Sequence, residues 1–156
     1  NLYAAYKKSF STIIGYYKKK YSKVKFYELM VSDTFGKYDY RKKIIYTLKM
    51  NYFRNKTTPI ISKNLHLNLL NVLDIINAMK VILRGNIAPK KYLLTSRTYT
   101  KISDLVNTFN KKNQKKLKIK WLSNDLIKDK IYPYDKLKGW KPENSYIRDI
   151  IHYIKN

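Results

Sequence analysis

Residues 32–45 read SDTFGKYDYRKKII and lie between a segment with strand character and one with helical periodicity. Residues 24–30 are rich in aromatic and β-branched side chains, which predicts a short strand. Residues 41–53 place Ile44, Ile45 and Leu48 on one face, which predicts a helix that begins with basic side chains. Residues 32–39 are therefore interpreted as a loop at the carboxyl end of a strand, where open α/β sheets bind ligands.

The remaining segments alternate between helical and strand character. The first helix is predicted over residues 2–21, where apolar side chains recur at helical spacing. Asp74 and Thr100 are predicted to cap helices over residues 74–83 and 101–110. Further elements are predicted over residues 58–61, 67–72, 92–95 and 117–122 (strands), after Pro133 (a helical turn) and over 144–154 (a helix). This alternation is typical of the α/β class, and we find no internal repeat.

Composition limits the possible classes of protein. The chain has 156 residues, of which 44% are hydrophobic, which suits one domain with a real core. It contains no cysteine, which excludes disulfides, thiolate zinc sites and a cysteine nucleophile and fits the reducing cytoplasm. No apolar run approaches the length of a membrane span. The 10 acidic residues do not cluster, so we expect no metal site.

The formal net charge of +24 has two interpretations. A basic chain can bind nucleic acid through phosphate contacts. Lysine, asparagine, isoleucine and tyrosine are also encoded by A/T-rich codons, so base composition alone could produce this charge. The lysines are spread along the whole chain rather than held in one block. We therefore expect no dedicated nucleic-acid site, although a basic α/β binding module remains the alternative function.

Four local patterns occur in order along the chain. The first, Tyr3-Ala4-Ala5-Tyr6-Lys7, opens the first helix. The second is the stretch at residues 32–45. The third is NVLDIINA at residues 71–78, and the fourth is LKGWKP at residues 137–142. A tyrosine four residues before a lysine recurs elsewhere in this chain, so the order and the surroundings of the four patterns carry the information.

Together these patterns resemble the extended short-chain dehydrogenase/reductase family, which comprises nucleotide-sugar epimerases and dehydratases. Within the family, the sequence of residues 32–45 most resembles the CDP-dideoxyhexose reductases, which are the abequose or paratose synthases. The resemblance implies the C-terminal portion of a Rossmann-type enzyme, with the catalytic helix, one late parallel strand and a small α/β substrate-binding subdomain. It places the end of the Rossmann-like part at residues 1–56 and mainly the nucleotide-sugar subdomain at 57–156, together forming a single partial domain.

The resemblance also implies roles for particular residues. Tyr3 would exchange a proton with a sugar hydroxyl or keto oxygen, while NAD or NADP exchanges a hydride. Lys7, one helical turn away, would favour the phenolate form of Tyr3, because an ammonium lowers the pKa of a nearby tyrosine. Lys7 would also hold the cofactor. Asp33 and Thr34 would also contact the cofactor. Substrate contacts would come from Phe35, Arg41 and Lys43. Each role has a simpler alternative. Tyr3 and Lys7 could be an ordinary surface pair, and the loop at Asp33 could be an ordinary turn. The basic residues from Arg41 to Lys43 could be a solvated face.

The chain also departs from the family pattern. It lacks the glycine-rich turn that binds a cofactor pyrophosphate. We therefore expect a fragment or a remnant of a surface-polysaccharide (O-antigen) sugar enzyme, inactive alone. Its partners would be a nucleotide-diphosphate sugar and either a missing N-terminal half or a homodimer partner. We expect the first helix and the following strand to expose the faces that such a half would cover.

Overall fold

The computed structural model describes residues 2–131 and 133–156, which form a mixed α/β fold. The helices in this part of the chain are α1 (Leu2–Lys20), α2 (Ile44–Phe53), α3 (Val72–Arg84), α4 (Ile102–Lys112) and α5 (Ile147–Lys155). The strands are β1 (Glu28–Val31), β2 (Asp33–Phe35), β3 (Thr58–Ile60), β4 (Leu65–Leu67), β5 (Leu69–Asn71), β6 (Lys91–Leu94), β7 (Thr100–Lys101), β8 (Ile119–Trp121) and β9 (Ile127–Lys128). None of these helices is both long and apolar enough to cross a membrane.

Most strand pairs are parallel. β1 pairs with β6, β2 with β5 and β3 with β8, each in parallel. β4 pairs in parallel with β9 and antiparallel with β7. Parallel pairs need crossover connections, and here the helices supply most of them. The predicted α/β class is therefore confirmed.

Two groups of buried side chains form the core. The larger group joins β2, α2, α4 and α5 through side chains such as Phe35, Leu48, Phe109 and Ile150. The smaller group lies between α3 and the β1–β6 pair, around Leu70, Tyr92 and Leu94, with Trp140 packed against it. These two groups hold strands β1, β2, β4 and β6 in place. Polar side chains lie at or next to the ends of several of these strands.

The prediction that residues 32–39 form a loop is partly wrong. Asp33–Phe35 forms strand β2, whose register places Asp33 opposite Leu69 and Phe35 opposite Asn71. The partner strand is distant in sequence, so the local turn residues could not reveal it. β1 is also shorter than predicted and begins at Glu28 rather than at residue 24.

The helix predicted from Arg41 begins three residues later, at Ile44. Lys43 is extended, with φ −84° and ψ 166°. Asp39 binds both the backbone N–H and the side chain of Arg41, which holds residues 39–43 outside the helix. The basic residues therefore precede the helix instead of forming its first turn.

Both predicted N-caps are wrong. Asn71, not Asp74, caps α3, since its side chain accepts a hydrogen bond from the N–H of Leu73. Thr100 lies in β7 opposite Leu67, and the cap residue of α4 is Lys101.

Two predictions near the C-terminus also differ. The described residues between Pro133 and the bridge at Lys136 do not form the helical turn expected there. The last helix starts at Ile147 rather than at residue 144.

Candidate active site

A cavity of about 270 Å³ lies beside the ion pair formed by Asp33 and Lys43. Its lining consists of Val31, Ser32, Asp33, Lys43, Asn68, Asp129, Lys130 and Ile131. These residues come from four separate parts of the chain, and their charged side chains are of both signs. The cavity is therefore polar, although the chain as a whole is strongly basic.

Strand direction explains why these residues meet. Val31 ends β1, Asn68 follows the end of β4, and Asp129 follows the end of β9. β4 and β9 are parallel, with His66 opposite Lys128, so Asn68 and Asp129 emerge side by side. In open α/β sheets ligands bind at the carboxyl ends of strands, and the cavity occupies such an edge.

Asp33 and Lys43 form an ion pair at the cavity wall. Asp33 begins β2, and Lys43 immediately precedes α2. The side chains of Lys43 and Asp33 remain 34% and 28% exposed, so both charged groups are partly accessible to a ligand. An anion that enters the cavity can therefore compete with Asp33 for the Lys43 ammonium.

Arg41 is held by a second carboxylate. Its Nε and Nη2 donate to the two oxygens of Asp39 at 2.6 Å each, and Nη2 also donates to Thr34 Oγ1 at 2.5 Å. Hydrogen bonding to Arg41 holds the pKa of Asp39 below its ordinary value, although burial acts in the opposite direction. The guanidinium charge is therefore largely balanced within the protein.

Asp129 lies in a different environment. Its Oδ2 accepts a hydrogen bond from the N–H of Asn68 at 2.7 Å. Burial raises the pKa of Asp129, and the negative charge of Asp33 raises it further, whereas the Asn68 N–H and Lys43 oppose this shift. The two carboxyl groups therefore differ in their charged partners, because Asp33 forms an ion pair with Lys43 and Asp129 does not.

The predicted catalytic pair lies on one exposed face of α1. The Nζ of Lys7 is 5.6 Å from the centre of the Tyr3 ring, and Tyr3 is 71% exposed. The pKa of Arg41 is raised, chiefly by its hydrogen bond to Asp39 against the effect of burial, and further by the charges of Asp39, Asp33 and Tyr3. Tyr3 is therefore near enough to Arg41 to influence its pKa.

Two of the predicted contact residues point away from solvent. Phe35 is 2% exposed and belongs to the larger core. Thr34 is 9% exposed, and its hydroxyl is already bound by Arg41. Sequence reasoning missed Asn68, Asp129 and Lys130 as cavity residues. β9, the element that positions Asp129, contains only two residues and carries no readable periodicity.

Three of the residues to which the resemblance gives catalytic or cofactor-binding roles are accessible to a ligand. Lys7 and Tyr3 are exposed together on α1, and Asp33 is partly accessible, so all three are available for contact. The Thr34 hydroxyl is engaged and would contribute through its backbone. Within residues 2–131 and 133–156, no cluster of side chains is suited to hold a metal ion.

The parallel pairs and their helices form a Rossmann-like α/β fold. The chain is similar to the dTDP-glucose 4,6-dehydratase of Bacillus anthracis in complex with NAD, with a TM-score of 0.74 and 18% identity over 99% of this chain and 51% of that chain. It is also similar to the UDP-glucose 4-epimerase of Thermus thermophilus in complex with NAD, with a TM-score of 0.77 and 15% identity over 98% of this chain and 52% of that chain.

These similarities establish the fold, and the chain spans about half the length of the structures that it matches. No protein-family model matches the chain, and no curated protein matches it either.

Proposed function

We propose that the chain carries the proton-transferring helix and the sugar-binding side of an NAD(P)-dependent nucleotide-sugar reductase, epimerase or dehydratase. One observation carries this proposal. The chain combines an exposed Tyr3–Lys7 pair on α1 with a polar cavity at the carboxyl ends of strands, on a fold shared with NAD-bound enzymes named for nucleotide-sugar substrates.

In this proposal Tyr3 exchanges a proton with a sugar hydroxyl or keto oxygen. Lys7, whose Nζ lies 5.6 Å from the centre of the Tyr3 ring, contacts the cofactor together with Asp33. NAD or NADP, when bound, supplies hydride transfer at the same sugar carbon. Lys43 leaves Asp33 to bind the diphosphate, while Arg41, neutralised by Asp39, holds Thr34 and the surrounding segment in place.

The proposed subfamily rests on the amino-acid sequence of one stretch. Residues 32–45 favour a CDP-dideoxyhexose reductase that acts in the cytoplasm in the synthesis of surface-polysaccharide (O-antigen) sugars. We further propose that residues 1–56 end the Rossmann-like part and that residues 57–156 mainly form the nucleotide-sugar subdomain. The matched structures are about twice as long as this chain, which supports a cofactor-binding N-terminal half as its partner, with a homodimer partner as the alternative.

Nucleotide-sugar binding can be tested on this chain directly. Calorimetric titration with UDP-glucose, dTDP-glucose and CDP-glucose should give binding for at least one of them, and Lys43→Met should weaken it about tenfold or more. Lys42→Met is the matched control, because Lys42 is exposed next to Lys43 and outside the cavity lining. Failure of all three ligands to bind, or equal losses in both variants, would contradict the proposal.

The alternative function is a basic binding module, favoured by the net charge of +24. Oligonucleotide binding of that kind should fall steeply with salt, and Lys42→Met and Lys43→Met should weaken it equally. Tight oligonucleotide binding together with no nucleotide-sugar binding would select this alternative.

The catalytic roles are tested in the reading frame that surrounds the codon for Asn1. An in-frame upstream segment with a strand, a glycine-rich turn and a helix would supply the cofactor half. In that polypeptide Tyr3→Phe should lower kcat by about 10²–10⁴-fold. A stop codon or frameshift immediately upstream would contradict the proposed catalytic roles, because no cofactor-binding half would then be made with this chain.

A further inference from the structure

The cavity beside Asp33 and Lys43 is small relative to a whole nucleotide sugar. Its volume is about 270 Å³, below the range of roughly 300–1,000 Å³ that is typical for pockets enclosing complete small-molecule ligands. It therefore suits a single ring. A nucleotide sugar that places its diphosphate at Lys43 would have only its sugar ring inside the cavity.

Two cavity residues have hydrogen-bonding capacity that their protein neighbours leave unused. Among the described residues the Asp129 carboxylate accepts one hydrogen bond, from the N–H of Asn68 to Oδ2, and no ion pair within 4.0 Å involves it there. A carboxylate has about four acceptor positions, so several remain.

Ser32 is the second such residue. Its Oγ is buried and lacks a hydrogen-bond partner among the described residues, although Ser32 lines the cavity. Buried hydroxyls nearly always have a partner, and an unpartnered one beside a cavity indicates that something else completes it. Rotation between staggered χ1 positions can turn this hydroxyl towards the cavity.

Asn68 differs from these two residues because its side chain is fully used. Its Nδ2 donates to the carbonyl of Ser96 at 3.2 Å, and its Oδ1 accepts from the N–H of Ser96 at 2.8 Å. These bonds fix the backbone whose N–H orients Asp129. Asn68 therefore positions Asp129. The side chains available to bind a ligand are those of Asp129 and Ser32.

We propose that Asp129 and Ser32 are the residues that recognise the sugar, with Asp129 accepting hydrogen bonds from ring hydroxyl groups and Ser32 making a further one. This inference rests on the proposed function and deepens it. A site built to bind hydroxyl groups discriminates strongly against ligands that lack them, because its own polar groups are then left unpaired. The sugar should therefore add affinity beyond that of the nucleotide diphosphate alone.

The test compares matched ligand pairs, UDP-glucose with UDP, dTDP-glucose with dTDP and CDP-glucose with CDP, by calorimetric titration of the whole chain. The measured quantity is the ratio of the two Kd values within a pair, here called the sugar increment. Asp129→Asn keeps an oxygen for the Asn68 N–H but replaces the other acceptor by a donor, and should reduce the sugar increment about tenfold. Ser32→Ala should reduce it by about threefold to tenfold.

Asp125→Asn is the control, because Asp125 is an exposed carboxylate outside the cavity lining, and it should leave the sugar increment unchanged. The inference is overturned if wild type binds each diphosphate as tightly as its sugar nucleotide, or if Asp129→Asn weakens both members of a pair equally. In both cases the proposed function still depends on the Lys43 result. Absence of binding to every probe would overturn the proposed function and this inference together.

Discussion

Asp129 and Asp39 show how the same side chain acquires opposite properties in one protein. Hydrogen bonds to Arg41 hold the pKa of Asp39 below its ordinary value, whereas burial raises the pKa of Asp129 above 3.8. The charge of Asp39 therefore stabilises the native state, and the charge of Asp129 weakens it. Proteins that keep such an unfavourable charge often do so at functional sites.

A stability prediction follows for Asp129. Because its native pKa is raised, the native state binds the proton more tightly than the unfolded chain, so stability falls as pH rises from 3.8 through the native pKa. Asp129→Asn removes this loss. Relative to wild type it should gain stability across that window and keep the gain at neutral pH, as measured by urea unfolding from about pH 3 to pH 7. A loss of stability that appears as the pH rises through this window would contradict the prediction, because it would show that the ionised Asp129 carboxylate is favourable in the native state.

Asp74 provides a second prediction at the residue scale. It is fully buried and accepts hydrogen bonds from Glu143 N, Asn144 N and Nδ2, and Ser145 Oγ. Asp74→Ala would leave several buried donors unpaired, so we expect a loss of about 3 kcal/mol or more in the free energy of unfolding. Asp104→Ala, at an exposed position in the first turn of α4, should cost less than about 1 kcal/mol.

The residues of the site were only partly predictable. Asp33 and Lys43 were found because they stand in one local stretch with a readable pattern. Ser32 stands in the same stretch but received no role of its own, and Asp129 was missed because its position depends on the pairing of β4 with β9, which are distant in the chain. Asp74 was assigned as a cap from its local sequence, but its partners lie 69–71 residues away.

At the scale of elements, α1 is held to the rest of the protein mainly by polar contacts. It contains no buried residue. Glu28 on β1 accepts from Ser11 Oγ at 2.8 Å and from Lys18 Nζ at 3.2 Å, and Lys91 on β6 lies 3.2 Å from the same carboxylate. The helix was predicted correctly because its periodicity is local, whereas the starts of α2 and α5 were missed because distant or non-helical hydrogen bonds displace them.

Glu28→Gln should therefore loosen α1 selectively. Loss of the charge-assisted hydrogen bonds should weaken docking by about 1–3 kcal/mol, which corresponds to a fall of about tenfold or more in amide protection across α1. Hydrogen–deuterium exchange would measure this change. Glu143→Gln is the matched control, because the Glu143 side chain is exposed. Unchanged exchange in α1 would show that these polar contacts do not hold the helix in place.

For the whole molecule, the main feature is an uncovered side. The α1 stripe, formed by Leu2, Tyr6, Phe10, Ile13 and Tyr17, has members that are 41–68% exposed. Among the described strands β1 pairs only with β6, so its other edge offers unpaired backbone groups to a partner strand. The exposure of this helix is as the sequence predicted, whereas β1 is half-buried except at Val31 and leaves an edge rather than a face uncovered. A cofactor-binding half is the occupant that we propose, since the matched structures are about twice as long.

Without that half, two opposing forces act on the isolated chain. The α1 stripe favours self-association, because large exposed apolar patches are sites of protein contact. The net charge of +24 opposes it, and salt screens that repulsion. We therefore predict that the sedimentation mass of the chain rises with salt, from about 0.05 M to about 0.5 M. Phe10→Ser with Ile13→Ser should abolish the rise, whereas Leu122→Ser with Leu126→Ser, at positions 59% and 73% exposed outside α1, should not. A monomer at every salt concentration, with a sharp and reversible melt, would show that this side needs no partner.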